Sequence, residues 1–322
     1  MKYKTKIISL SAVIVILAAT YLMGGLFTAQ KAVEKKAMEP LFDLALKDTL
    51  TSVRVSTTPE AGIVTIEKAG NDWVIRIDEN VTYPASKIRV NSLITSVFDV
   101  TKFKLMGRGE KYWSEFELEP DRADTVEILK DGQSMFTLYV GKEGPGGKGD
   151  YVRSSLTNEI YLTDATMQRH FGQDPRYWFN MRLFPEGYTG EDIFAFTFID
   201  MNSDAKISLK REAQGKLGKW INLVPDAPEP NGKVADAIAD NLALLEAVNF
   251  VNGADIIPNV VVELDTGKLG HMTIDCQKIE DEGQYVYLLK KRGDSYMYLI
   301  QEDKLKRLFQ PEGLFPAPSK TE

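Results

Sequence analysis

Alternation of apolar and polar side chains, broken by short polar turns, constrains this chain more than any other feature. Successive strand side chains face opposite ways, so residues 63–77, IVTIEKAGNDWVIRI, read as two strands around a Gly-Asn-Asp turn, the second opened by Trp73. A similar stretch begins at Ile207, ISLKREAQGKLGKWINL, and places Trp220 147 residues after Trp73. Further pairs follow in the same order. Helical segments end at Phe103 and Phe250, and hairpins open at Val126-Glu127-Ile128 and Val262-Glu263-Leu264. Their return strands read MFTLYVGK and HMTIDCQK, later hairpins start at Tyr151-Val152 and Tyr285-Val286, and short amphipathic closing helices end at Phe171 and Phe309. An ordered series of this kind predicts a duplication.

The second constraint lies near the N-terminus. Residues 7–27, IISLSAVIVILAATYLMGGLF, are 21 in number and carry no charge. As a helix they would span roughly 31 Å, against about 30 Å of bilayer hydrocarbon. The run is too long for the apolar region of a cleaved signal peptide, and the small-residue site near Thr28-Ala29-Gln30 is poor. Lys2, Lys4 and Lys6 precede it, which puts the N-terminus in the cytoplasm and the remainder outside. Thr20, Gly24 and Thr28 form a stripe of small residues on that helix. The expected architecture is therefore α+β: an N-terminal transmembrane helix followed by two tandem repeats of an antiparallel-sheet-plus-helix module, held at the inner membrane with the C-terminal domain periplasmic. Its parts are a cytoplasmic tail (1–6), the span in the lipid bilayer (7–27), a stalk (28–50), a first module (51–172), a linker (173–191), a second module (192–310) and a flexible tail (311–322).

Composition excludes several function classes. The net charge is −7, and about −10 once the three leading lysines are set aside, which disfavours a phosphate backbone and so nucleic acid. Cys276 is the only cysteine, so no internal disulfide forms, and its alternation with Met272 and Ile274 assigns it to a core face rather than to nucleophilic chemistry. His170 and His271 stand far apart with no second thiol, which rules out the usual zinc sets. Asp200-Met201-Asn202-Ser203-Asp204 begins like a calcium loop, but Ala205 and Arg211 occupy the positions that need glycine and a bidentate glutamate. Residues 141–150, GKEGPGGKGD, lack the phosphate-loop register and run from strand to strand, which reads as a flexible hairpin loop. No metal, cofactor or catalytic set is expected, and the chain is not read as an enzyme.

Aromatic residues outside the alternation are the candidate partner contacts. Tyr112, Trp113 and Phe116 fall in an insert, and Tyr177, Trp178 and Phe179 fall in the linker. Large rings in loops anchor interfaces or cover core edges. The order of an N-terminal apolar run, a Leu-Phe pair at Leu41-Phe42, tryptophan-opened strands and a helix is followed by Phe116-Glu117-Leu118-Glu119-Pro120, then Gly141-Lys142 and Tyr151-Val152-Arg153. Taken together these resemble the membrane-anchored domain-of-unknown-function family numbered 4340, with Glu117 standing where members often have glycine. The resemblance implies a non-enzymatic accessory or scaffold role beside the permease and ATPase of a gliding-motility-type ABC transporter. The other reading is a periplasmic binding module for an envelope polymer or lipid, marked by a deep apolar groove between the modules.

Overall fold

Asp131 and Gly132 both adopt positive φ (50° and 79°), the backbone of a two-residue turn whose twist suits a hairpin, and they join the strands β6 (Asp124–Lys130) and β7 (Gln133–Glu143). The computed structural model describes residues 39–57, 62–172, 174–212, 218–253, 256–281, 283–309 and 311–316. These fall into two units: Asn91–Gln173 with the described residues up to Ile63, and Val64–Val90 with those from Asp174 onward.

In the first unit the strand order is β1-β6-β7-β8-β9-β5, all antiparallel, with β1 Ser52–Ser56, β5 Lys104–Arg108, β8 Asp150–Ser154 and β9 Glu159–Leu162. Register aligns the apolar positions: Val53 faces Ile128, which faces Phe136, and Val126 faces Leu138. All five side chains are buried. Phe42 stacks on Phe136 with ring centroids 3.8 Å apart, and Phe98 meets both rings edge-on. Phe98 ends helix α1 (Lys87–Phe98), whose Leu93, Ile94 and Val97 are also buried. At the outer edge, β5 pairs only with β9 and carries a bulge between Leu105 and Gly107.

The second unit holds the meander β2 (Ile63–Ala69), β3 (Asp72–Arg76) and β4 (Thr82–Pro84), in which Ile66, Trp73 and Ile75 are buried. It also holds an eight-stranded antiparallel sheet of order β12-β11-β10-β14-β15-β16-β17-β13. Its strands are β10 Ile193–Asp200, β11 Lys206–Arg211, β12 Trp220–Asn222, β13 Asn249–Asn252, β14 Val260–Thr266, β15 Gly270–Asp281, β16 Gln284–Lys291 and β17 Tyr296–Gln301. A short helix α2 (Trp113–Phe116) belongs to the first unit, while α3 (Gly232–Ala243) and α4 (Glu302–Phe309) belong here. Asn231 caps α3 by accepting from the Lys233 amide, and Ala235, Ile238, Ala239, Leu242 and Ala243 form its buried stripe. The almost wholly buried Arg211 of β11 pairs with Asp236 of α3 at 3.0 Å and lies 4.4 Å from the Trp220 ring, whose indole donates to Asp236. One charge pair thus ties the sheet edge to the helix.

Three expectations need correction. The regular structure of the described residues is mostly strand, in two large antiparallel sheets, rather than an anchored pair of small sheet-plus-helix modules. Among the described residues no helix is long and apolar enough to cross a membrane. The longest are 12 residues, about 18 Å, and they carry charges such as Arg89 and Asp236. Residues 7–27, where the span and the bilayer contact were placed, lie outside the described residues, as do 1–6 and the stripe of small residues, so neither a single-pass anchor nor an inner-membrane address finds support. The internal repeat is corrected as well. The closing segment at Phe171 is a three-residue 3-10 turn, Gln168–His170, where the other is the eight-residue α4. The meander β2–β4, read as part of the first copy, groups from Val64 onward with the second unit. Alternation and turn chemistry are shared by any antiparallel hairpin, so a series of matching hairpins does not by itself establish a copied unit.

The junction of α2 with β7 carries a test. Glu117, the C-cap of α2, adopts φ 57° and ψ 41°, the left-handed region that costs an ordinary side chain roughly 1–2 kcal/mol. Beside it, a Cβ on Gly141 would run into the Phe116 carbonyl oxygen. Glu117→Gly is expected to stabilise the protein by about 0.5–1 kcal/mol and Gly141→Ala to destabilise it by about 3 kcal/mol, read from urea unfolding midpoints. Equal signs would show that the junction does not carry this strain.

Candidate functional site

An open groove of the second unit has a volume of about 780 Å³ and lies across one end of the eight-stranded sheet. Register fixes which side chains meet there. Cys276 pairs with Leu289 on the buried face, and two residues further along the same face Lys278 pairs with Tyr287, then Glu280 with Tyr285. Asp200 pairs with Val260, and Val260 with Cys276, so Asp200 reaches the groove on that face too. The strands therefore leave the core with their apolar positions replaced by aromatic and polar ones. Phe309, the last residue of α4, packs edge-on against Phe198 (5.5 Å) and Tyr287 (5.8 Å) and closes the inner wall. From there the aromatic row runs outward to Tyr285, which is 55% exposed. The turn after β10 supplies Asn202 and Ser203, and the start of β11 supplies Lys206, as the opposite rim.

Several of these groups are held by local bonds. Asp200 accepts from the Asn202 amide and the Ser203 hydroxyl, both at 2.8 Å, and these bonds keep its carboxyl below the usual range. Asn259 accepts the Lys278 amide at 2.7 Å, which fixes its side-chain amide at the groove. The Lys278 ammonium pairs with Glu302 at 2.6 Å, which raises its pKa, and lies 4.2 Å from the Tyr285 ring centroid. The groove offers fixed donors, fixed acceptors and ring surface. Asp200, kept ionised, is not poised as a general acid.

The aromatic candidates read from the sequence lie elsewhere. In the first unit Phe116 is buried and packs on Tyr151 (4.4 Å), and Tyr112 and Trp113 are half-buried around them. Trp113 is engaged by the buried Arg153, whose guanidinium carbon lies 3.8 Å from the Trp113 ring and 3.4 Å from the Tyr139 ring. Arg153 Nε donates to the Leu118 carbonyl at 2.9 Å. Phe116-x-Leu118, Gly141 and Tyr151-x-Arg153 thus converge in one cluster. In the second unit Trp178 and Phe179 are buried, Phe179 against Tyr83 and Phe250, while Tyr177 is half-buried with the Arg89 guanidinium 4.7 Å from its ring.

Other sequence candidates are also located. Cys276 is fully buried, and desolvation pushes its thiol far up, as a core position requires. His271 pairs with Asp265 at the surface, and His170 bonds Ser96 at 2.8 Å. Among the described residues no cluster of metal-ligating side chains occurs. The glycine-rich 141–150 segment does join two strands, but it packs closely: Asp150 is buried and accepts from the amides of Met167 and Gln168. Sequence reasoning named Arg153 within a motif without giving it a role, and it missed the part played by Asp150 and the groove of the second unit. The signal for the groove was the tyrosine alternation at the start of β16, Tyr285-x-Tyr287 ahead of Leu289.

Comparison with known proteins adds family but not function. The family described as "Domain of unknown function (DUF4340)" matches residues 73–304. An "Uncharacterized protein" of Treponema pallidum (strain Nichols) is 23% identical over 127 residues, which is 39% of this chain and 40% of that protein. The match therefore spans well under half of that relative's length. No solved structure matches the chain.

An electrostatic test comes from the first unit. Burial, and then the neighbouring charge of Asp150, pushes the Asp124 carboxyl up to about 6. A carboxyl raised on folding contributes stability that is fully present below its unfolded pKa near 3.8 and is lost as pH rises through about 6. Asp124→Asn is expected to raise the urea midpoint at pH 8 and to leave it nearly unchanged at pH 4. An equal shift at both pH values would remove the titration from the account.

Proposed function

The chain belongs to the DUF4340 family, and on that premise we propose that it is a non-catalytic binding subunit of an ABC-transporter assembly of the gliding-motility type. The observation that carries the binding role is the open groove of the second unit, with immobilised polar groups beside an exposed aromatic row and an acid held in its charged form. Preorganised donors and acceptors around ring surface suit recognition, since little side-chain freedom is lost on binding. The transporter partner follows from what the family resemblance implies. Contact with the permease or ATPase is assigned to Tyr112 and Tyr177, the two tyrosines of the candidate clusters that keep exposed surface.

Cross-linking in intact cells followed by affinity purification of the full chain tests this. Permease and ATPase subunits are expected to be recovered, and Tyr112→Ala with Tyr177→Ala is expected to reduce recovery about tenfold, roughly 1.4 kcal/mol of contact energy, from a protein that still unfolds in one cooperative transition well above the assay temperature. Should the chain be recovered without either subunit, the transporter role fails and a binding module acting alone takes its place.

A further inference from the structure

We infer that the groove of the second unit binds a neutral glycan chain, seated along Phe309, Tyr287 and Tyr285; this rests on the binding-subunit reading. Charge comes first. Among the described residues the charged side chains lining the groove are Asp200 and Glu280 against Lys206 and Lys278, and the Lys278 ammonium is already paired with Glu302, so the groove has no excess positive charge for a polyanion and no more than a weak pull on a polycation. A neutral ligand is favoured.

Polarity narrows the class. An acyl chain in this groove would desolvate the Asn259 amide, the Asp200 carboxylate and the Lys206 ammonium with nothing to replace water, and the penalty is greatest for the two charged groups. A polyhydroxylated ligand replaces those bonds, because each hydroxyl both donates and accepts. Ring surface supplies the rest. The face of an aromatic ring is electron-rich and attracts the polarised C–H groups on the face of a sugar ring. Tyr285 and Tyr287 lie two residues apart on one face of β16, a spacing of roughly 7 Å that offers successive platforms.

Topology argues against a peptide occupant. The groove lies across β10, β11, β14, β15 and β16, and where they line it β10, β14 and β15 pair with a neighbour on both sides. These three central strands have no free edge for an added strand along the groove floor. The volume, about 780 Å³, falls within the roughly 300–1,000 Å³ of ligand pockets, and the open ends suit a segment of a longer chain.

Calorimetry and saturation-transfer NMR on the full chain, with cellohexaose, maltohexaose and chitohexaose as probes, test the inference. At least one is expected to bind with a dissociation constant of about 0.1–1 mM that is insensitive to salt. Tyr285→Ala should weaken it at least about tenfold, while Leu269→Ala, at the opposite end of the β14–β15 hairpin, should not. Tyr285 is exposed, so its replacement should leave the melting temperature unchanged. The glycan assignment is overturned if none of the three binds, if heparin or phosphatidylglycerol vesicles bind in preference, or if Tyr285→Ala leaves binding intact. Oligosaccharide binding without permease or ATPase in the cross-linked pull-down overturns only the transporter role. Recovery of those subunits without oligosaccharide binding overturns only the glycan.

Discussion

The buried guanidinium of Arg153 is the interaction around which the first unit's outer cluster is arranged. It lies between the rings of Trp113 and Tyr139 and donates to the Leu118 carbonyl. A buried cation without such partners would be costly, and ring faces together with a carbonyl supply negative potential without adding a second charge to desolvate. The arrangement in turn fixes the turn that carries α2. The Leu118 carbonyl can meet Arg153 only if the chain reverses at Glu117, and reversal there brings the Phe116 carbonyl against Gly141. Motifs separated by some 25 residues in sequence are therefore one packing problem.

The second unit solves a similar problem with different chemistry. Arg211 meets a carboxylate, Asp236, as well as the Trp220 ring, so the sheet edge and α3 are held by a charge pair. Removing one partner of such a pair leaves an uncompensated charge in the interior, which makes it a lock more than a source of net stability. Away from that lock, the opposite end of the sheet is free to present side chains to solvent, and the groove occupies that end.

Much of the strand content was legible in the sequence, for local reasons. The Asp131-Gly132 turn, the alternation in β6, β7 and β15, and the core position of Cys276 each depend on a few neighbouring residues. What is non-local was not legible. Residues 173–191 look like a linker because they are rich in glycine, proline and rings, yet Trp178, Phe184 and Tyr188 are buried there. The 141–150 loop looks flexible from its glycines, yet Gly141 and Gly149 are the points at which other backbone comes closest. The membrane span rested on residues outside those described, and the matched series of hairpins rested on a pattern that any antiparallel sheet repeats. The groove gathers Asp200, Asn259, Lys278, Tyr285 and Phe309 from over a hundred residues of chain, and no window shows them together.

The bulge in β5 has a consequence for how the protein survives at high concentration. A terminal strand presents a row of unpaired amides and carbonyls, and a straight apolar one invites another chain to extend the sheet. Phe103 and Leu105 are both over 40% exposed at this rim, so the hazard is real. The irregularity between Leu105 and Gly107 breaks the ladder after two residues, and the charged side chains of Lys104 and of the Arg108–Glu159 pair flank it. Two such strands brought together would meet out of step, so the exposed Phe103 and Leu105 side chains can stay in solvent without seeding a fibril.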